Sequence, residues 1–452
     1  MSPVSDDSDE SAAEGPADLS PALTVNPPFT EEIRPGETDD PQDPLSRMER
    51  LIAAGEREGA HVHAREAAAA REEGWWSPGL VAALAHCLID LGAPGEAAAL
   101  IEPLVTQGRA NARALTVLAR ARTLEGRHAD ALEALNEASY LDGRSAEVLL
   151  ALGAARMAAG DTARAIADFE RVLRLSTGEN PQQADERAET YFRLGEAWAS
   201  LDEPAKAARY FRASQAADAS DRRGAGIRLA ELEAQPAPTK ASAAYVRALF
   251  DGYAPRYDGH MQETLSYRGP ELLRAAAERA GVFQGGPHDA IDLGCGTGLS
   301  GAAFRGACGT MLGVDLSPRM CAAAEASGFY TRVVAGELVA ALEAEAGPFS
   351  LAIACDTVIY LGDLAPLFAA LAAKMPHGGW FVFSTEKSDG ASEEAQRRGF
   401  EIGPTRRFRH TETYLREVAP RFGFEIASLD RDVLRTEKRV PVESFVCAMK
   451  RV

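Results

Sequence analysis

The chain has 452 residues, 46% of them hydrophobic and 25% charged, with a formal net charge of −19. That balance excludes a collagen-like, wholly disordered or membrane-embedded chain, and no apolar run approaches the roughly 18 residues a spanning helix needs. The six cysteines are scattered without a C-x-x-C pair, so no disulfide framework and no metal site is expected, and a reducing, cytoplasmic setting is the default.

The charge is unevenly placed. Residues 1–44 hold twelve acidic residues against Arg34 alone, with eight of the 25 prolines. Such a segment buries too little apolar surface to offset its chain entropy and reads as a disordered acidic tail. It begins MSPVSDDSDE, without the basic and apolar regions of a secretory signal. Residues 45–240 carry −5 and residues 241–452 carry −3. Neither has the basic excess of a nucleic-acid binder.

From about residue 74 the chain repeats. Ala97, Ala131 and Ala165 stand 34 residues apart, and Ala207 follows after 42. The extra eight residues fall near Ser176–Gln183, which reads as loop. A leucine precedes each alanine by thirteen positions (Leu84, Leu118, Leu152, Leu194), followed by a small residue (Ala85, Ala119, Gly153, Gly195). Gly92, Gly126, Gly160 and Asp202 mark turns, and Ile101, Leu135, Phe169 and Phe211 follow each alanine by four. This frame resembles the tetratricopeptide repeat. Helices so spaced stack, because one unit cannot bury its own apolar stripe. The expected all-α solenoid spans 45–234 and is closed by a helix within 221–234. His61 and His63 fall on different helix faces and read as solvated.

Residues 235–242 read as a Pro-containing linker. Beyond it, over 243–452, short apolar runs alternate with helices, the pattern of an α/β domain with a mostly parallel sheet. Ala290-Ile291-Asp292-Leu293 forms a buried strand that enters Gly294-Cys295-Gly296-Thr297-Gly298, and a helix opens at Leu299. At the carboxyl end of a parallel strand, such a turn is where doubly wound folds bind ligands. The next strand ends in Asp315, placed to accept bonds from two ribose hydroxyls. Gly296 to Gly301 also matches G-x-G-x-x-G, so a nicotinamide dinucleotide is the competing cofactor. Two features argue against it. Glycines stand at three alternating positions, and Asp292 precedes them. A carboxylate there opposes a pyrophosphate and suits an ammonium, which S-adenosylmethionine bears.

The stretches D-L-G-C-G-T-G and G-V-D-L-S-P-R-M resemble class I S-adenosylmethionine-dependent methyltransferases. The wider likeness, with LAIACDTVIYLGDL and RRFRHTETYLREVAPRFGFEI, is to bacterial repeat-bearing methyltransferases whose catalytic domain is similar to small-molecule methyltransferases of quinone and biotin biosynthesis. The resemblance implies a Rossmann-like domain with a seven-stranded sheet, its last strands near 424–429 and 444–449. It implies that Gly294, Cys295, Gly296 and Gly298 line the cofactor, that Asp292 lies near its ammonium, and that Asp315 takes the ribose. Leu316 and Met320 would border the adenine, with Gly336-Glu337 near its amine. Cys355 would face the methyl side, and Tyr253 and Tyr257, beside Tyr245 and Phe250, would form a lid.

On the acceptor side the candidates are Asp356, Tyr360, Glu386 and His410, with His410 as the best single base. The Arg406–Arg409 cluster suits an anionic acceptor. The expected reaction is methylation of a small molecule, with the repeats serving protein interaction. The alternatives are a protein methyltransferase whose repeat groove recruits the substrate, and a cofactor-binding adaptor without activity.

Overall fold

The computed structural model describes residues 77–452, except 179, 233–234, 255–256, 260, 262–264 and 438, together with positions 47, 59 and 61–63. The expected acidic tail lies outside the described residues.

Four helix hairpins open the described chain. They pair α1 (Pro78–Asp90) with α2 (Pro94–Thr106), α3 (Ala112–Leu124) with α4 (His128–Leu141), α5 (Ala146–Ala158) with α6 (Thr162–Leu175), and α7 (Pro181–Ser200) with α8 (Pro204–Ala217). Each first helix starts on a side-chain cap, from Ser77, Asn111, Ser145 or Asn180, which accepts an otherwise unpaired amide of the first turn. The four turn residues Gly92, Gly126, Gly160 and Asp202 all take positive φ, which lets each hairpin reverse at once. Ala97, Ala131, Ala165 and Ala207 are buried. A Cβ on Gly195 would stand 2.6 Å from the Phe211 ring, and one on Gly153 would collide with Phe169, so these glycines set how closely the paired helices approach. First helices of successive pairs pack on one another while second helices are splayed. The array therefore curves with the first helices inside. The eight-residue insertion, read as loop, ends in the N-terminus of α7, which runs 20 residues against 13 in α5. α9 (Ala225–Glu231) closes the array.

Residues 235–242 are not a free connector. Ala241 N–H donates to Tyr360 O at 2.9 Å, and Gly362 and Asp363 N–H both donate to Thr239 O. The backbone that reads as a proline-broken linker is thus pinned to the loop after the fourth strand. α10 (Ala243–Tyr253) and α11 (Gly269–Ala280) then lead into the sheet.

Among the described residues the sheet has nine strands rather than seven. They are β1 (His288–Leu293), β2 (Cys308–Asp315), β3 (Arg332–Ala335), β4 (Leu351–Ala354), β5 (Trp380–Lys387), β6 (Phe400–Ile402), β7 (Phe408–His410), β8 (Phe424–Glu437) and β9 (Val440–Arg451). The five parallel strands run β3-β2-β1-β4-β5. β9 then pairs antiparallel with β5 and with β8. The two unexpected strands form a hairpin whose β7 pairs parallel with Glu386-Lys387 at the end of β5. Three-residue strands carry too little alternation to register as strands in the sequence.

Both faces of the central strands are covered, so their apolar runs are nearly continuous. Ile291, Leu293, Ala352, Ala354, Phe381 and Phe383 pack to one side, with α15 (Ala365–Lys374) and α17 (Glu412–Arg421). Ala290, Leu351, Ile353, Trp380 and Val382 pack to the other, with α11. Asp292, two residues on from Ala290, points to this second side between the apolar Ile291 and Leu293.

Alanine at position 195 would gain about 1 kcal/mol of helix propensity but must displace the Phe211 ring, an overpacking cost of about 1–3 kcal/mol. Gly195→Ala is therefore expected to lower stability by about 1 kcal/mol net, read as a lower urea midpoint at unchanged m-value.

Candidate functional site

The candidate site lies at the carboxyl edge of β1, β2, β4 and β5. Leaving β1, Gly294 and Cys295 N–H both donate to Val314 O, at 2.7 and 3.0 Å. This binds the turn to the end of β2. Gly294, Gly296 and Gly298 take φ of 80°, 53° and 105°, a region that side chains other than glycine rarely tolerate. Their surroundings differ. A Cβ on Gly294 would collide with Thr357, and one on Gly298 would stand 2.9 Å from Ser327 Oγ, whereas nothing lies within 4 Å of one on Gly296. Gly294 and Gly298 are thus required by the protein's own packing, and Gly296 alone faces open space. Cys295 is buried.

Asp292 is wholly buried. Its Oδ2 accepts the Tyr330 hydroxyl at 2.8 Å, while Oδ1 has no hydrogen-bond partner among the described residues. Burial raises its pKa to about 7, opposed by the Tyr330 bond and reinforced by the Asp315 charge. Tyr330 also accepts Gly301 N–H at 3.2 Å, and a Cβ on Gly301 would strike its hydroxyl end. The last glycine of the G-x-G-x-x-G match therefore makes room for a tyrosine. Sequence reasoning missed Tyr330, which lies 38 positions from Asp292 with no motif around it.

Asp315 caps β2 and organises two loops. Its Oδ2 accepts Gly296 N–H at 3.0 Å and its Oδ1 accepts Ser317 N–H at 2.8 Å. Burial lifts its pKa to about 6 against these amide bonds. Each oxygen keeps further acceptor capacity. Leu316 is half-buried, and Met320 is wholly buried in α13 (Pro318–Ser327). Gly336 N–H donates to Asp315 O at 2.8 Å. Glu337 caps the following helix through Ala340 N–H and pairs with Lys240 at 3.3 Å.

Over these loops lie Tyr253 and Tyr257, their rings 5.1 Å apart and edge-on. Phe250 meets Tyr257 and also Tyr360, at 6.3 and 5.6 Å. Asp258 accepts the Thr297 hydroxyl at 2.5 Å, fastening this aromatic segment to the glycine turn. Cys355 is buried with its sulfur 3.0 Å from the Tyr267 hydroxyl.

The candidate acceptor residues gather around Arg435 of β8, which is almost fully buried. It makes a two-oxygen contact with Asp356 at 2.6 and 2.7 Å, and also reaches Glu386 and Glu437. Asp356 holds φ 55°, a left-handed conformation that costs about 1–3 kcal/mol, and its N–H donates to Ser384 Oγ. Burial raises the Asp356 pKa against Arg435 and Arg407. Glu386 lies within β5 and is buried, not a solvated loop residue.

Two expectations need correction. His410 lies on β7, wholly buried, with Nδ1 2.6 Å from Thr385 Oγ1 and Nε2 2.9 Å from Gly362 O. Desolvation lowers its pKa to about 4. Both ring nitrogens are occupied, so it is a packing residue and not a base. The Arg406–Arg409 cluster is not open to an anion either. Arg406 pairs with Glu196 and Glu231, Arg407 with Glu437 and Glu386, and Arg409 with Glu386. Arg407 Nε also lies 3.5 Å from the Tyr360 hydroxyl.

Residues 257–429 match a family model described as a methyltransferase domain. Among solved structures, the chain is similar to magnesium protoporphyrin IX methyltransferase (ChlM) from Synechocystis PCC 6803 with bound SAH, at 18% identity over 43% of this chain and 84% of that one, TM-score 0.32. It is also similar to the Burkholderia thailandensis 1,6-didemethyltoxoflavin-N1-methyltransferase, at 22% identity over 48% and 93%, TM-score 0.36. A third is a S-adenosylmethionine-dependent methyltransferase from Clostridium acetobutylicum ATCC 824, at 18% identity over 44% and 98%, TM-score 0.33. No curated protein matches the chain.

Because the Tyr330 hydroxyl stabilises ionised Asp292, Tyr330→Phe is expected to move the Asp292 titration above its starting point near 7. Carboxyl carbon shifts followed by NMR across pH 5–9 (roughly the range in which it titrates) check this. An unchanged or lowered midpoint contradicts the bond.

Proposed function

We propose that the C-terminal half, which matches a methyltransferase domain over residues 257–429, is an S-adenosylmethionine-dependent enzyme that methylates a small-molecule acceptor, and that the helical array is a tetratricopeptide-type solenoid serving protein assembly. The observation that carries the cofactor side is the orphaned Oδ1 of Asp292, buried beside a glycine turn whose Gly296 faces open space. A buried acid at half-charge is relieved by a cation and aggravated by a phosphate. Asp292 would meet the cofactor's ammonium, Gly296 would allow close approach, and Asp315 would accept the ribose hydroxyls. Glu337 already caps a helix and pairs with Lys240, which weakens its assignment to the adenine amine. Tyr253 and Tyr257 would exclude water from above.

When bound, the cofactor supplies a methyl group activated by its sulfonium. The chain's residues hold an acceptor near that group, which is chiefly proximity and orientation. Asp356 and the Tyr360 hydroxyl face this region and would orient the acceptor. For a hydroxyl acceptor, Asp356 would take its proton, worth about 10²–10⁴-fold. The half-buried setting of Asp356, Tyr257, Tyr267 and Tyr360 suits a small acceptor. The pairing of Arg406, Arg407 and Arg409 with internal carboxylates removes the support for an anionic one.

Incubation with methyl-labelled S-adenosylmethionine and cell extract is expected to place label in the solvent-extractable fraction. Label confined to a protein band would favour a protein substrate, and none at all an inactive binder. Asp315→Ala is expected to weaken S-adenosylhomocysteine binding by about 1.5–3 kcal/mol, the scale of hydrogen bonds to a charged group. Calorimetry measures this directly, and unchanged affinity would remove Asp315 from the site.

A further inference from the structure

The helical array meets the C-terminal half through loops at the carboxyl edge of the sheet. At one end, Arg319, at the start of α13 and four positions after Asp315, pairs with Asp90 of α1 at 3.5 Å. It also donates to Asp251 O at 3.2 Å, and Asp251 accepts the Ser317 hydroxyl at 2.5 Å. Asp90 belongs to a network in which Arg120 of α3 reaches both Asp90 and His86. At the other end, Arg406 of the β6–β7 hairpin pairs with Glu196 of α7 at 3.2 Å and Glu231 of α9 at 3.5 Å, and Arg228 reaches the same two carboxylates. Between them, Ile227 of α9 shares an apolar cluster with Phe400 and Phe408, against which Leu316 and Tyr360 pack. Asp90, Arg120 and Glu196 all sit on first helices, which line the inside of the curve.

We infer that the inner face of the array is an intramolecular docking surface for the chain's own methyltransferase half, and that Asp90 and Arg319 are positioning residues for the cofactor loop 315–320. The charges are complementary: the array brings Asp90, Glu196 and Glu231, and the other half brings Arg319 and Arg406. Arg319 grips the loop from two sides, Asp251 on α10 and Asp90 on α1, close to the ribose acid. A loop held in its binding geometry loses less freedom when ligand arrives. A peptide seated on this face must first displace these contacts. The inference rests on the cofactor reading above.

Calorimetric titration of S-adenosylhomocysteine into the full chain tests it, with Arg319→Glu, Asp90→Arg and the double exchange. Each single change is expected to weaken binding about fivefold or more, the low end of typical coupling between sites. The exchange is expected to recover part of the lost affinity, because it rebuilds the pair with reversed charges but not the donation to Asp251 O or the contact with Arg120. Binding in the double variant no better than in the weaker single, or unchanged binding in both singles, overturns the inference. Circular dichroism melting identifies a variant that fails to fold. In that case Asp90→Asn, similar in size and remote from the ligand, decides: weaker binding supports the coupling and equal binding overturns it. Wild type that binds no S-adenosylhomocysteine overturns the cofactor reading itself, and the inference with it.

Discussion

A carboxylate oxygen without a partner, at the end of a buried strand, is a costly arrangement. Among the described residues Asp292 is such a group, and the surrounding elements are arranged about it. Tyr330 satisfies one oxygen and leaves the other. The glycine turn wraps its rim, and Asp315 stands near enough to raise its pKa further. Two acids sharing a poorly solvated recess disfavour each other's ionisation, so the recess has an unmet preference for positive charge. The same field repels a diphosphate. The choice between a sulfonium amino-acid cofactor and a dinucleotide therefore follows from electrostatics as well as from the glycine spacing.

The charge cluster around Arg435 is organised on the opposite plan. Arg435 is surrounded by Asp356, Glu386 and Glu437, and Arg407 supports the last two. Here buried charges compensate one another internally. Such a cluster contributes little net stability, since desolvation offsets attraction, but removal of one partner is strongly unfavourable. Its effect is geometric. Asp356 is held in a left-handed conformation by a guanidinium that contacts both of its oxygens.

Much of this was legible from residue order, because the contacts involved are local or periodic. The repeat frame found the first-helix leucines, the turn residues and the small residues at helix crossings. The apolar runs of β1 and β2 and the glycine turn located the carboxyl edge. What was not legible arises from long-range contacts. Tyr330 reaches Asp292 across 38 positions and Arg435 reaches Asp356 across 79. His410 sits in a charged run that reads as surface, yet its side chain points into the core beside Phe400 and Tyr414. The arginines around it looked available for a ligand because their carboxylate partners lie on other elements, two of them in the helical array.

The stretch between array and sheet alters how the two halves can be regarded. Thr239 and Ala241 lie alongside residues 360–363 as a short bridge, and Ala237 exchanges contacts with Glu394 and Arg398. The backbone that ends one half is thus bridged to the loop carrying Tyr360 in the other. A boundary drawn by composition at this point would cut through hydrogen bonds that the acceptor rim relies on. The half that carries the glycine turn accordingly includes backbone well upstream of that turn, inside what looks like spacer.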